Sequence, residues 1–356
     1  MNWHEVIFFG MFLVGIIGIL MFDLLFIGKN SHVISFKEAL IWTIVWIGLS
    51  LSFYVLLRYW GDWLHDLRTL EDIQHKIVQF QHPIHIEGLS FEEALQVYRN
   101  NLALEYITGY LIEKALSVDN IFVIIMIFSA FGVREMYYKR VLFWGILGAV
   151  VMRFIFIFLS AALIQRFEWI LYVFGLFLIF TGIKMYISRN KHETIDVQHH
   201  PVVRLSSKIF RVFPRYVGSN FFVKPHHKVF ITPLFIVLLV VEFMDVIFAV
   251  DSIPAIFSIT KDPYIVFFSN IFAIIGLRAL FFMLIQVINK FYLLKAGLAV
   301  LLTFIGTKML VHHWLDEIGF TTFHSLLVVL GIITISIVAS LVFPKKEAGG
   351  QLSLDI

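Results

Sequence analysis

Cysteine is absent from the 356 residues. Disulfides, thiolate metal ligands and thiol redox chemistry are therefore excluded, whichever side of a membrane the loops face. Charge is scarce as well. Asp, Glu, Lys and Arg make up 15% of the chain, where a soluble domain carries roughly 25%. No basic stretch precedes the first apolar run and no small-residue cleavage site follows it, so the pattern of a removed signal peptide is missing. No haem or flavin motif occurs, and no prosthetic group is expected. What fills the chain instead is apolar: 60% hydrophobic residues, 39 of them Phe. That composition describes an all-α, polytopic membrane protein.

Nine apolar runs are long enough to span a bilayer, at about 6–28, 39–60, 104–131, 141–164, 169–188, 230–257, 264–287, 292–312 and 322–343. Of the 28 Lys and Arg, 17 fall in the loops that lie inside if the N-terminus is outside, and six fall in the outer loops. This bias predicts an N-out, C-in orientation. The chain then divides into two spans (1–60), an outer segment (61–103), three spans (104–188), an inner basic linker (189–229), three more spans (230–312), and a last span with its tail (313–356). In the outer segment, Leu64, Leu67, Leu70, Ile73 and Ile77 recur at helical spacing, and Pro83 ends that helix. Ser90 and Glu93 then make a capping box for a second helix. An amphipathic hairpin lying on the outer surface is expected. The histidines there and in the linker read as ordinary loop residues. The basic linker suits anionic lipid headgroups and the positive-inside rule rather than nucleic acid.

One short pattern is written twice inside these runs. Glu113 to Asp119-Asn120 is matched by Asp245 to Asp251-Ser252, with Glu242 three residues ahead of the second copy. The agreement extends to Arg153 and Arg278 in the next runs. It reaches Phe180, Gly182, Lys184 and Met185 against Phe304, Gly306, Lys308 and Met309 in the runs after those. A unit of three spans is odd, so two copies must face opposite ways, as in inverted-repeat secondary transporters with a midplane site.

An Asp at a helix centre costs roughly 2.5–3.5 kcal/mol, so several carboxylates in two spans need compensation. Glu113 and Asn120 share a helical face, as do Asp245 and Ser252, while Asp119 and Asp251 lie about 100° round. Two such helices crossing would gather all six around one cavity. Pro254 cannot donate to the carbonyl of Val250, which is thereby freed beside Asp251. Asp23 could add a further oxygen. Carboxylate, amide, hydroxyl and carbonyl oxygens suit Mn²⁺, Mg²⁺ or Ca²⁺. Arg153 and Arg278 either tether the acids in the empty state or only hold helices together. Lys184 and Lys308 read as snorkelling anchors. An intramembrane aspartyl protease is the contrasting reading, but its Gly-x-Gly-Asp motif is absent. A third is a non-transporting partner or metal-delivery protein.

At Gly109–Asn120, at the run from Glu242 through Asp251-Ser252-Ile253-Pro254, and at Ser269-Asn270 with Gly276-Leu277-Arg278, the sequence resembles the TerC/Alx family of bacterial integral membrane proteins. The resemblance implies a LysE-type transporter of a bacterial inner membrane that exports Mn²⁺, with links to tellurite resistance. It carries the family's acidic motif onto Glu113, Asp119, Asn120, Glu242, Asp245, Asp251 and Ser252. The metal is then cargo, not cofactor. The outer hairpin departs from the family pattern, and a redox-modulator role fits a cysteine-free chain poorly.

Overall fold

Backbone that crosses lipid must satisfy its own polar groups, and an open apolar chain does so only as helix. The computed structural model describes residues 3–22, 34–167, 169–188, 200–225, 228–286 and 293–343, and these are nearly all helical. First come α1 (Trp3–Phe22) and α2 (Phe36–Trp60), the latter running into a 3-10 turn at Gly61–Leu64. Then come α3 (Leu70–Phe80), α4 (Phe91–Ala130), α5 (Glu135–Arg166) and α6 (Trp169–Ser188). The linker holds α7 (Pro201–Ile209) and a two-stranded antiparallel ribbon, β1 (Phe222–Val223) with β2 (Phe230–Ile231). The second half follows as α8 (Pro233–Phe257), α9 (Pro263–Ile275), α10 (Leu277–Leu284), α11 (Leu294–Leu310), α12 (His312–Glu317) and α13 (Thr322–Val342).

Helices occupy all nine expected positions. By length and composition five are able to span a membrane, or six if the bent pair α9–α10 counts as one span. Their outward faces are themselves apolar, with Val14, Ile44, Val151, Leu176 and Ile335 exposed. A soluble protein does not show so broad an apolar exterior.

Two local expectations are refined. The capping box forms: Ser90 Oγ accepts from the Glu93 amide, and Glu93 Oε2 accepts from the Ser90 amide at 2.9 Å. The helix it starts does not stop at 103, however. α4 continues for 40 residues, about 60 Å, so the second arm of the hairpin is the outer end of the third apolar run. The first arm is shorter than its periodicity suggests. Thr69 caps α3 in a box with Asp72, and Gln81 ends it in the left-handed conformation at φ 51°, two residues before Pro83.

Close packing sets the interior. α4 lies along α9, α5 along α8, and α6 along α11. On α6, a Cβ added to Gly175 would come within 2.9 Å of the Gly306 carbonyl oxygen on α11. Glycine is required there because the two backbones touch. Small residues serve this purpose in membranes, where van der Waals packing rather than hydrophobicity drives association. Between α9 and α10 the chain bends by 41° at Gly276. Lys114 of α4 fills that break, its Nζ donating to the Ala273 carbonyl at 3.3 Å. On the linker side, Tyr216 Oη donates to the Phe131 carbonyl at 2.7 Å, fastening the linker to the α4–α5 turn.

Candidate functional site

The site is built from four helices. α4 brings Glu113, Ser117 and Asn120 to one face, since residues four and seven apart stack on a helix. All three are buried. α8 brings Asp245 and Ser252, α5 brings Arg153, and α9 brings Asn270. The guanidinium of Arg153 stands at their crossing, 1% exposed. Its Nη1 donates to Glu113 Oε1 at 2.5 Å, to Asn270 Oδ1 at 3.0 Å and to Ser252 Oγ at 3.2 Å. Its Nη2 donates to Asp245 Oδ1 at 3.3 Å. One cation thus joins the leading acid of each written copy. Charge-assisted bonds of this kind are the strong ones, and the planar fork of Arg fixes their geometry.

The cage is not saturated. Asp245 Oδ2, Asn270 Nδ2 and Ser117 Oγ are buried with no hydrogen-bond partner among the described residues. Buried polar atoms are rarely left so. A cleft lined by Asn120, Leu142, Gly145, Val241, Asp245 and Leu277 reaches the cage. It lies toward the C-terminal end of α4, the end that carries the basic linker.

The other expected ligands do not join this cage. Asp119 and Asp251 lie off the shared face, as their 100° offset requires. Asp251 Oδ1 accepts from Thr181 Oγ1 of α6 at 3.3 Å, and Asp119 and Lys184 act on it electrostatically. Glu242 sits half-buried against Gly148 of α5, where a side chain would collide with its carboxylate. The expectation of one six-ligand cavity therefore becomes two groups, with Glu242 as an outlier. The Val250 side chain faces outward, 44% exposed. Arg278 is buried on α10, just past the bend. Asp23 lies outside the described residues. Among the described residues no three His, Asp or Glu groups converge closely enough to hold a metal ion. At the centre of the cage the charge partner is Arg153. Lys184 is exposed, as an anchor should be, whereas Lys308 donates to the Ser258 carbonyl at 2.9 Å.

Sequence reasoning missed Asn270, although it stands in the quoted run Ser269-Asn270. It also missed a second buried polar group at the other end of the bundle. His65 and His82, read as loop histidines, are 1% and 5% exposed. His65 Nε2 is 2.9 Å from Asp262 Oδ2, and its Nδ1 is 3.2 Å from Glu5 Oε1. Lys76 Nζ donates to Glu5 Oε1 at 2.6 Å. His82 Nδ1 is 2.8 Å from Glu105 Oε1, which also accepts from Asn101, while Thr260 Oγ1 donates to Glu105 Oε2 at 2.6 Å. Burial opposes a charge on either histidine, yet the carboxylates of Asp262 and Glu105 hold both above the ordinary histidine range. Burial likewise disfavours the charge on Asp262, but His65 outweighs it and leaves the carboxyl below its usual range. The remaining His75 and His85 are exposed, as expected. The signal for this network was present in Glu5 and Glu105, two carboxylates in otherwise apolar runs.

Comparison with known proteins follows the same motifs. The profile described as Integral membrane protein TerC family matches residues 98–348. A Myxococcus xanthus protein named Uncharacterized membrane protein STKORF319 is 41% identical over 331 residues, covering 93% of this chain and 91% of its own. Proteins named as a candidate membrane-bound redox modulator, Alx, are similar too. The one from Salmonella typhi is 43% identical, covering 92% of each chain, and the one from Escherichia coli K12 is 43% identical, covering 85% of each. No solved structure matches. With a family profile spanning most of its length and relatives aligned almost end to end, this chain belongs to the TerC family of integral membrane proteins.

Proposed function

We propose that the protein is a secondary transporter that exports a divalent cation, Mn²⁺ first and Ca²⁺ as the alternative, across a bacterial inner membrane. The observation that carries this reading is the Arg153 guanidinium held by Glu113, Asp245, Ser252 and Asn270. A cage of hard oxygen donors is assembled deep in the helices, and the chain fills it with a cation of its own. Two carboxylates match the charge of one divalent ion, and such ions prefer oxygen ligands. Arg153 then works as a placeholder. A metal arriving through the Asn120–Asp245 cleft takes over the carboxylates and displaces the guanidinium. The returning guanidinium helps to release the metal on the far side. Proton exchange is the natural partner step, since an emptied carboxylate in a dry site tends to take a proton.

The packing supports the inverted repeat. α4 lies along α9 as α8 lies along α5, and α6 meets α11 at glycines. A two-fold relation between α4–α6 and α8–α11 produces that exchange of partners, and rocking one unit against the other gives alternating access. Nine spans with N-out, C-in orientation complete the reading. The chain is not proposed as an enzyme. A redox role, as the relatives' name suggests, would have to proceed without thiols in a chain with no cysteine. The competing class is a metal-delivery or scaffold partner, which would bind proteins without moving ions.

Proteoliposomes loaded with a Mn²⁺-sensitive dye separate these readings. Glu113→Gln and Asp245→Asn are each expected to lower Mn²⁺ flux more than tenfold. If both variants transport like the parent, the cage is not the ion site. If the parent moves no divalent cation, the transporter reading fails.

A further inference from the structure

The network around His65 and His82 is aligned with three of the cage's four helices, α4, α8 and α9, one layer farther out. Glu105 precedes Glu113 on α4 by eight residues. Asp262 precedes Asn270 by eight along α9. Thr260 follows Ser252 by eight, three residues past the end of α8. Eight helical residues rise about 12 Å. Between the layers Gly109 of α4 packs on Ile256 of α8 and Ser269 of α9, beside the fully buried Thr108. The cleft that reaches the cage is lined on the other side of it, by Asn120 and Ile124 of α4 and Val241 and Asp245 of α8. Among the described residues, the histidine network and this packing lie between the cage and the hairpin side.

The network ties together parts that are far apart in sequence. Glu5 comes from α1, His65, Lys76 and His82 from the hairpin, Tyr98, Asn101 and Glu105 from α4, Thr260 and Asp262 from the α8–α9 turn, and Tyr264 from the first turn of α9. Each is at least nine-tenths buried. Protonation is written in the geometry. His65 has a carboxylate at each ring nitrogen, and an ionised carboxylate only accepts. Both nitrogens must then carry hydrogen, which makes the ring an imidazolium. Among the described residues, three carboxylates face one ammonium, Lys76, and these two imidazoles. Two imidazolium charges balance the group, and their loss leaves carboxylates buried without counter-charge. Tyr98 and Tyr264 stand against the rings and add no charge of their own at neutral pH. His82 Nε2 and Tyr98 Oη make no hydrogen bond among the described residues. The network is thus incompletely closed at its centre.

We propose that this network is the outer closure of the ion path and that it opens when His65 and His82 lose their protons. The proposal rests on the transport reading above, which gives the path a use. The sign follows from the raised proton affinity of both rings: the closure is complete below the ordinary histidine range and is lost as pH rises through their elevated values.

The absence of cysteine makes the test direct. Ser269→Cys places one thiol between the two layers, and Thr108→Cys places another on α4, so that one misfolded variant does not end the experiment. Each is labelled from the hairpin side with a membrane-impermeant thiol reagent. Rates are normalised to an exposed reporter, Glu87→Cys, to remove the reagent's own pH dependence. The normalised rate is expected to rise at least tenfold between pH 6 and pH 9. That rise should be absent when His65→Gln and His82→Gln are added. Equal rates at both pH values, or a rise that survives the two histidine substitutions, overturn the closure. Because the readout is access rather than flux, a flat result with intact Mn²⁺ transport removes the gate and leaves the transporter. Lost flux with pH-dependent labelling does the reverse.

Discussion

At the scale of single residues, Arg153 carries the most consequence. Removing one partner of a buried ion pair leaves the other uncompensated, at a cost of about 3–5 kcal/mol. Arg153→Met is therefore expected to lower the melting temperature in the absence of metal. If the cage takes a cation, Mn²⁺ should raise the melting temperature of Arg153→Met more than that of the parent, because the metal then neutralises Glu113 and Asp245. Differential scanning fluorimetry with and without Mn²⁺ checks both statements. Glu113, Asp245 and Ser252 were legible in the sequence because the same spacing occurs twice and places them on helix faces. Asn270 was not, because a lone amide in an apolar run has no periodicity to mark it. The splitting of Asp119 and Asp251 from the cage follows from the helix itself: one residue is 100° of rotation, too much for both sets to face one centre. His65 was hidden for a different reason. Its partner Asp262 is 197 positions away, and no local pattern reports a contact at that separation.

At the scale of elements, hydropathy located the long apolar helices among the described residues, because a period-free apolar run of that length has few other solutions. It did not find the bend at Gly276. No proline marks it, and the Lys114 side chain that occupies it comes from another helix. Nor did it show that hairpin and span are one helix, since the change from polar to apolar surroundings around 103 resembles a boundary. The α6–α11 contact gives a clear prediction. Gly175→Ala forces a methyl group against the Gly306 carbonyl, and overpacking of this kind costs about 1–3 kcal/mol. Gly48→Ala, on α2 with open space around it, should be neutral or stabilising by about 0.5–1 kcal/mol, because alanine is the better helix former. Thermal unfolding in one detergent should order the proteins as Gly48→Ala at or above the parent and Gly175→Ala below it.

At the scale of the whole molecule, stability should depend on pH in a definite direction. Both buried histidines have raised proton affinity, so their contribution is full below pH ~6.5, the ordinary histidine value, and fades as pH rises through the elevated values. Asp262 is depressed, and its contribution fades only in acid. The melting temperature is therefore expected to fall from pH 6.5 toward pH 9, with a weaker fall in His65→Gln with His82→Gln. An unchanged slope in that double variant would show that the histidines are not its source. A last consequence concerns how the molecule comes to exist. A site whose acids could be neutralised only by cargo would leave a newly inserted chain carrying stranded negative charge whenever the metal was scarce. Arg153 supplies that counter-charge covalently. On the proposed transport reading, biosynthesis is thereby uncoupled from metal supply, and the empty protein is expected to mature as completely in a metal-starved cell as in a metal-rich one.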